Sequence, residues 1–223
     1  MSATLEIIAV FLCLVGWAMI GATLPNNFWK VSSIHGSVIT TSTFFENLWK
    51  SCVQDSTGTA TCRDFDTLLA LPAYIQACRA LMISSIVLGF IATVLSLLGL
   101  KCTSIGLRDE DLKTKFAVTG GFLYIFGGLC SMVAVSWYAA MITAQFFDSL
   151  YAGTKYELGN ALYLGWAGSV LYMLGGIFLT CSCKRNKQQN YSANKYKYSA
   201  GKADHQPRIY TRDSDTVTNK EYV

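Results

Sequence analysis

Cys52 and Cys62 lie ten positions apart and enclose Asp55-Ser56-Thr57-Gly58. Asp at the first position and Gly at the fourth suit a type I turn. Val53 and Thr61 then belong to the two strands of one hairpin, across which the cysteines can meet. A disulfide there requires an oxidising compartment. Carboxylates are the other chemically active groups nearby. Between residues 26 and 74, Glu46, Asp55, Asp64 and Asp66 stand against Lys30, Lys50 and Arg63, a formal excess of one negative charge. So small an excess decides little, and placement must decide. Carboxylates lining a narrow, low-dielectric passage attract cations and repel anions. Each also has an ordinary structural use: Asp55 can cap its own turn, and Asp64 can pair with Arg63 or, across strands, with Lys50.

No catalytic constellation accompanies these groups. His35 and His205 have no Cys or Asp partner at metal spacing, and Cys13, Cys78 and Cys130 fall within apolar runs, where a thiol acts as a small apolar group. The expectation is a protein that is not an enzyme, holds no cofactor or metal, and binds no nucleic acid.

The elements that position the stretch are membrane spans. Of 223 residues 52% are hydrophobic and only 14% charged, too few charges for an ordinary soluble domain. The apolar residues concentrate in four blocks, about 5–24, 75–100, 116–142 and 162–181, and each supplies the roughly 20 residues that cross a hydrocarbon core. The first block lacks a basic leader, with Glu6 the only early charge, and reads as a permanent span rather than a signal peptide. Small residues such as Gly120-Gly121, Gly127-Gly128 and Gly175-Gly176 let helices approach in lipid or simply fill space. Lys101, Arg108, Lys113 and Lys115 precede the third block, and nine Lys and Arg follow Cys183, whereas the segments at about 25–74 and 143–161 carry few. By the bias of basic residues toward the cytosol, both termini are cytosolic and those two segments are outer loops. The sequon Asn190-Tyr191-Ser192 then stays unglycosylated.

Within the first outer loop, short antiparallel strands are expected at 28–34, 37–41, 48–53 and 60–64, with an edge free to pair with other copies. A short helix capped by Asp66 follows. Arg79, one turn into the second span, is either a brace to carbonyls or acidic groups under the sheet or a pore-lining charge. Phe146 and Phe147 make an aromatic belt or, with Leu158, a pocket for an apolar residue of a neighbour. The chain from 184 is polar and basic and is expected to be disordered. Its terminal Tyr222-Val223 suits strand addition to a PDZ groove.

The pattern Trp29 … Asn47-Leu48-Trp49-x-x-Cys52-x9-Cys62, with four spans, a large first and small second outer loop, Arg79 and terminal Tyr222-Val223, closely resembles the claudin signature. Asn47 stands where that signature usually has Gly. The resemblance implies a membrane protein of mixed class, a left-handed four-helix transmembrane bundle carrying a small antiparallel extracellular sheet. It implies a plasma-membrane protein of the tight junction that polymerises with itself and other claudins, in cis and in trans. The members that this chain most resembles form pores for inorganic cations such as sodium, which implies that an acidic residue at the position of Asp55 sets charge selectivity and one at Asp64 assists; Glu46 is the further candidate. Leu68 occupies the position of an apolar residue that enters a neighbour's pocket, matched here by Phe146, Phe147 and Leu158. The loops around His35 and residues 151–153 resemble those that meet the opposing cell, and Ser149 departs from the usual Pro. Membrane-edge Cys102, Cys181 and Cys183 match palmitoylated positions, so membrane lipid is a partner. The tail end resembles ligands of the zonula occludens PDZ scaffold. A sealing claudin without a pore and an auxiliary subunit of another channel are the competing readings.

Overall fold

The computed structural model describes residues 3–32, 42–55, 57–65, 71–100, 110–148 and 155–203, with side chains from 4 to 182 except 110 and 111. The chain divides into two units, Met1–Asn186 and Lys187–Val223, and the first carries the site.

Among the described residues, four helices are long and apolar enough to cross a membrane. Helix α1 is Ala3–Thr23. Pro25 stops it, lacking an amide to donate, and the Trp29 indole donates to the Thr23 carbonyl at 2.9 Å, satisfying an acceptor that the helix end leaves open. Helix α2 is Ala73–Gly99, entered through Pro72 and left with Leu100 in extended conformation. Helix α3, Glu110–Phe147, has 38 residues, about 57 Å at 1.5 Å per residue and so nearly twice the hydrocarbon thickness. Residues 143–147, expected to begin the second outer loop, extend this helix instead. Thr-Ala-Gln-Phe-Phe contains no Gly or Pro to break it.

Helix α4, Asn160–Ala203, corrects a second expectation. Its membrane-length part is Asn160–Ser182, but helical backbone runs on through residues 184–203, where disorder was expected. Polar composition argues against a packed core. It does not argue against a helix, which satisfies its own backbone, and this stretch is rich in Lys and free of Pro.

Among the described residues, five short strands form one antiparallel sheet: β1 (Lys30–Ser32), β2 (Thr43–Glu46), β3 (Lys50–Gln54), β4 (Ala60–Asp64) and β5 (Tyr156–Leu158), in the order β4-β3-β2-β1-β5. Strand β4 matches its expected position. The strand expected at 37–41 lies outside the described residues, and the central strand is β2, which the sequence reading passed over. Strand β3 starts two residues later than expected because Asn47-Leu48-Trp49 is a turn. The Asn47 Oδ1 accepts from the amides of Trp49 at 2.7 Å and Lys50 at 2.6 Å, and the Asn47 amide donates to the Lys50 carbonyl at 3.0 Å. Glycine in this place could make the main-chain bond but not the two bonds to the side-chain oxygen.

The core runs from the bundle into the sheet and contains fully buried Trp29, Leu48, Tyr124, Tyr138 and Tyr172. Trp29 meets Tyr138 edge-on, with ring centroids 5.1 Å apart. Helices α1 and α4 touch backbone to backbone. A Cβ at Gly16 would fall 2.6 Å from the Tyr172 nitrogen, and one at Gly175 would fall 2.8 Å from the Cys13 nitrogen. Close packing of this kind holds helices together in lipid.

Candidate functional site

The sheet carries the signature residues, and Arg79 ties them to the bundle. Its Nε donates to the Leu48 carbonyl at 2.6 Å. The guanidinium lies over Trp49 at 4.7 Å and Phe65 at 5.8 Å from the ring centroids. Arg79 is buried and has the geometry of a brace beneath the Asn47–Lys50 turn, not of a lining charge.

The two cysteines are bonded to each other and directly opposed in the β3–β4 register. Beyond them the chain reverses as the spacing suggests. The Gly58 amide donates to the Asp55 carbonyl at 2.9 Å, and the Asp55 amide donates to the Thr59 carbonyl at 3.1 Å. Gly58 has φ of +80°, a conformation that a Cβ would strain. The main chain therefore closes the turn. The exposed Asp55 carboxylate is not spent on it, and instead accepts from the Ser42 hydroxyl at 3.2 Å.

The three candidate charges differ in environment. Asp55 has no ion-pair partner among the described residues. Asp64 faces Lys50 across the strands at 3.6 Å, with both side chains well exposed; such loose surface pairs are worth little. Glu46 is enclosed. Its carboxylate meets Lys30 at 2.6 Å and accepts from Ser51 Oγ at 3.0 Å and Tyr156 Oη at 3.3 Å. Lys30 also sits over the Tyr156 ring at 4.4 Å. This compensated pair, with Lys30 buried and Glu46 half-buried, fastens β1, β2, β3 and β5 together. Glu46 is thus a structural ion-pair partner. The sequence alone does not single out Lys30, Ser51 and Tyr156; opposite charges on two neighbouring short strands, at Lys30 and Glu46, are the available signal.

At the other end of the sheet, Phe146 and Phe147 meet edge-on with centroids 5.5 Å apart, and Lys155 lies over Phe146 at 5.5 Å. Phe147 is exposed. Leu158 is on β5, paired with Lys30 and packed against the core. The two rings come together, while Leu158 belongs to a separate element. Cys181 is an exposed thiol near the end of the span Asn160–Ser182. Leu68, Asp66, His35, Cys102, Ser149, Tyr222 and Val223 lie outside the described residues, as does the Cys183 side chain. Among the described residues no cluster of His, Cys, Asp or Glu could hold a metal.

Among the described residues, four membrane-length helices and one disulfide-closed antiparallel sheet define a four-span membrane protein. Residues 3–179 match the PMP-22/EMP/MP20/Claudin family. Over 189 residues the chain is 55% identical to Claudin-15 of Bos taurus, covering 84% of this chain and 80% of that protein. It is 52% identical to Claudin-15 of Mus musculus over 190 residues, 84% of each chain, and 42% identical to Claudin-19 of Homo sapiens over 207 residues, 92% of each chain. The chain therefore belongs to the PMP-22/EMP/MP20/Claudin family, on its claudin side. From residues 38–41, 44–49, 74–82 and 161–166 the expectation is a likeness to claudin fifteen, with claudin ten next; Claudin-15 proteins stand among these relatives, together with Claudin-19 and Claudin-7. As a claudin it is a tight-junction membrane protein that associates with other claudins, and not an enzyme.

Proposed function

We propose that the protein polymerises into tight-junction strands and forms cation-selective paracellular pores in which Asp55 supplies the dominant fixed charge. One observation carries the reading. Of the three candidate carboxylates, Asp55 alone is both exposed and without an ion-pair partner among the described residues, at the tip of the disulfide-closed hairpin. Opposite charges about 4 Å apart gain roughly 1 kcal/mol in water and roughly 4 kcal/mol at an effective dielectric of 20. Since about 1.4 kcal/mol is tenfold, even the lower value biases a permeability ratio about fivefold. Asp64 contributes less, its field being partly cancelled by Lys50.

In the same reading both termini are cytosolic, following the placement of Lys and Arg. Leu68 joins neighbours through a pocket of Phe146, Phe147 and Leu158. Acyl chains on Cys102, Cys181 and Cys183 anchor the cytosolic rim, and Tyr222-Val223 engages a zonula occludens PDZ scaffold. The test is the dilution potential across a tight epithelial layer expressing each variant at matched junctional level. Asp55→Asn should lower sodium-over-chloride preference with strands intact, Asp64→Asn should do so more weakly, and Asp55→Lys should move selectivity toward anions. Unchanged preference in both Asp55 variants would refute the assignment. An unchanged, high resistance on expression of the wild-type chain would favour a seal without a pore.

A further inference from the structure

A cavity of about 490 Å³ opens where the chain leaves α1. Leu24, Pro25 and Asn27 form one wall, and Asn47, Trp49 and Lys50 form the other, with the disulfide at Cys62 beside them. The volume falls in the range of small-molecule sites, roughly 300–1,000 Å³. Its depth in the membrane follows from the chain. The α1 span ends at Thr23, and Leu24 to Asn27 are the next four residues. The polar headgroup layer adds roughly 5–8 Å beyond the hydrocarbon on each side, so the cavity opens within that layer. Tryptophan is the residue type favoured at this level.

The walls grade from apolar Leu24, Pro25 and Trp49 to polar Asn27 and charged Lys50. The Asn47 amide is committed: its oxygen accepts two main-chain amides, and its nitrogen donates to Asn27 Oδ1 at 2.9 Å. That leaves the Asn27 nitrogen and the half-exposed Lys50 ammonium as donors on the rim. Asp64 lies 3.6 Å from that ammonium. A cation and an anion side by side complement a zwitterion, whose phosphate would meet Lys50 and Asn27 while its ammonium turns to Asp64.

We propose that this cavity seats the headgroup of one zwitterionic phospholipid of the surrounding bilayer, with the acyl chains descending along the end of α1. The full-length protein is placed in phosphatidylcholine nanodiscs containing a trace of phosphatidylcholine with a photoactivatable diazirine on its headgroup, and the labelled peptides are mapped by mass spectrometry. Labelling should concentrate at residues 24–27 and 47–50. Lys50→Met should lower it at least fivefold there while labelling at the opposite membrane face, near Cys181, is unchanged. Leu24→Trp, which fills the cavity from its apolar wall and leaves every charge in place, should do the same. An intact Cys52–Cys62 bridge and an unchanged thermal midpoint certify each variant as folded. Labelling that ignores both variants, or falls equally at the two faces, would overturn the proposal. So would crosslinks from residues 47–50 to a second copy of the chain in place of lipid, which would assign the cavity to an interface.

Discussion

Arg79→Met removes the brace and keeps most of the side-chain stem. Two interactions are lost. A hydrogen bond from a charged donor is worth about 1.5–3 kcal/mol net, and here its acceptor is the carbonyl of Leu48, a residue with 0% exposure. The cation–π contact with Trp49 adds about 0.5–2 kcal/mol. Together the substitution should cost about 2–5 kcal/mol, concentrated on the Asn47–Lys50 turn. Arg79→Lys keeps charge and a donor but loses the planar stacking, and should cost about half as much. Amide hydrogen exchange in detergent reads the local effect directly. If the turn opens as a unit, the loss converts to an acceleration of roughly thirtyfold to several-thousandfold at residues 48–52, with α3 and α4 changing little. Exchange within threefold of wild type at these amides would refute the brace. Equal acceleration throughout the bundle would show that Arg79 supports global stability and not the turn.

Lys30→Met leaves the Glu46 charge enclosed and should destabilise by about 3–5 kcal/mol, whereas the double variant Lys30→Met with Glu46→Leu should recover most of that loss; thermal unfolding of the four proteins of the cycle measures the coupling. Gly175→Val sets a Cβ 2.6 Å from the Cys13 sulfur and should cost at least about 1–3 kcal/mol by forcing α1 from α4, read as a lower thermal midpoint, while Gly21→Val, with nothing within 4 Å of its new Cβ, should lose only a fraction of that. One Ala added after Val223 should abolish capture by a PDZ scaffold in a pull-down without disturbing junctional strands, and unaltered capture would refute terminal docking.

What the sequence made legible followed interaction range. Spans could be read because about 20 consecutive apolar residues have few other uses. The β3–β4 hairpin could be read because Asp55, Gly58 and both cysteines lie within eleven residues and act on one another. Strand β2 escaped because Thr43–Glu46 borders a longer β-branched run that drew the assignment, and β5 because three residues carry no period of their own. Asn47 could be aligned with a signature, but its double acceptance from Trp49 and Lys50 appears only once the turn is built. Glu46 and Asp55 are indistinguishable as letters. Their difference comes from Tyr156, 110 positions from Glu46, and no local pattern carries that information.

Strand β5 also sets an order of events during synthesis. Strands β1 to β4 emerge together before α2, and the β3–β4 hairpin with its disulfide needs nothing that comes later. The sheet still lacks its fifth member until β5 emerges after α3, when residues 156–158 pair with residues 30–32. In the finished sheet the Gly159 amide donates to the Trp29 carbonyl at 2.9 Å, and a Cβ on Gly159 would strike the Phe28 carbonyl. Until then β1 presents an open edge with Lys30 lacking the Tyr156 ring. Contacts so distant in sequence form slowly, and open strand edges are where nascent chains misassociate. Docking of β5 is therefore the late step that completes the sheet. Substitutions at Gly159 or Tyr156 should accordingly act first on yield at the cell surface, before any property of the assembled junction is altered.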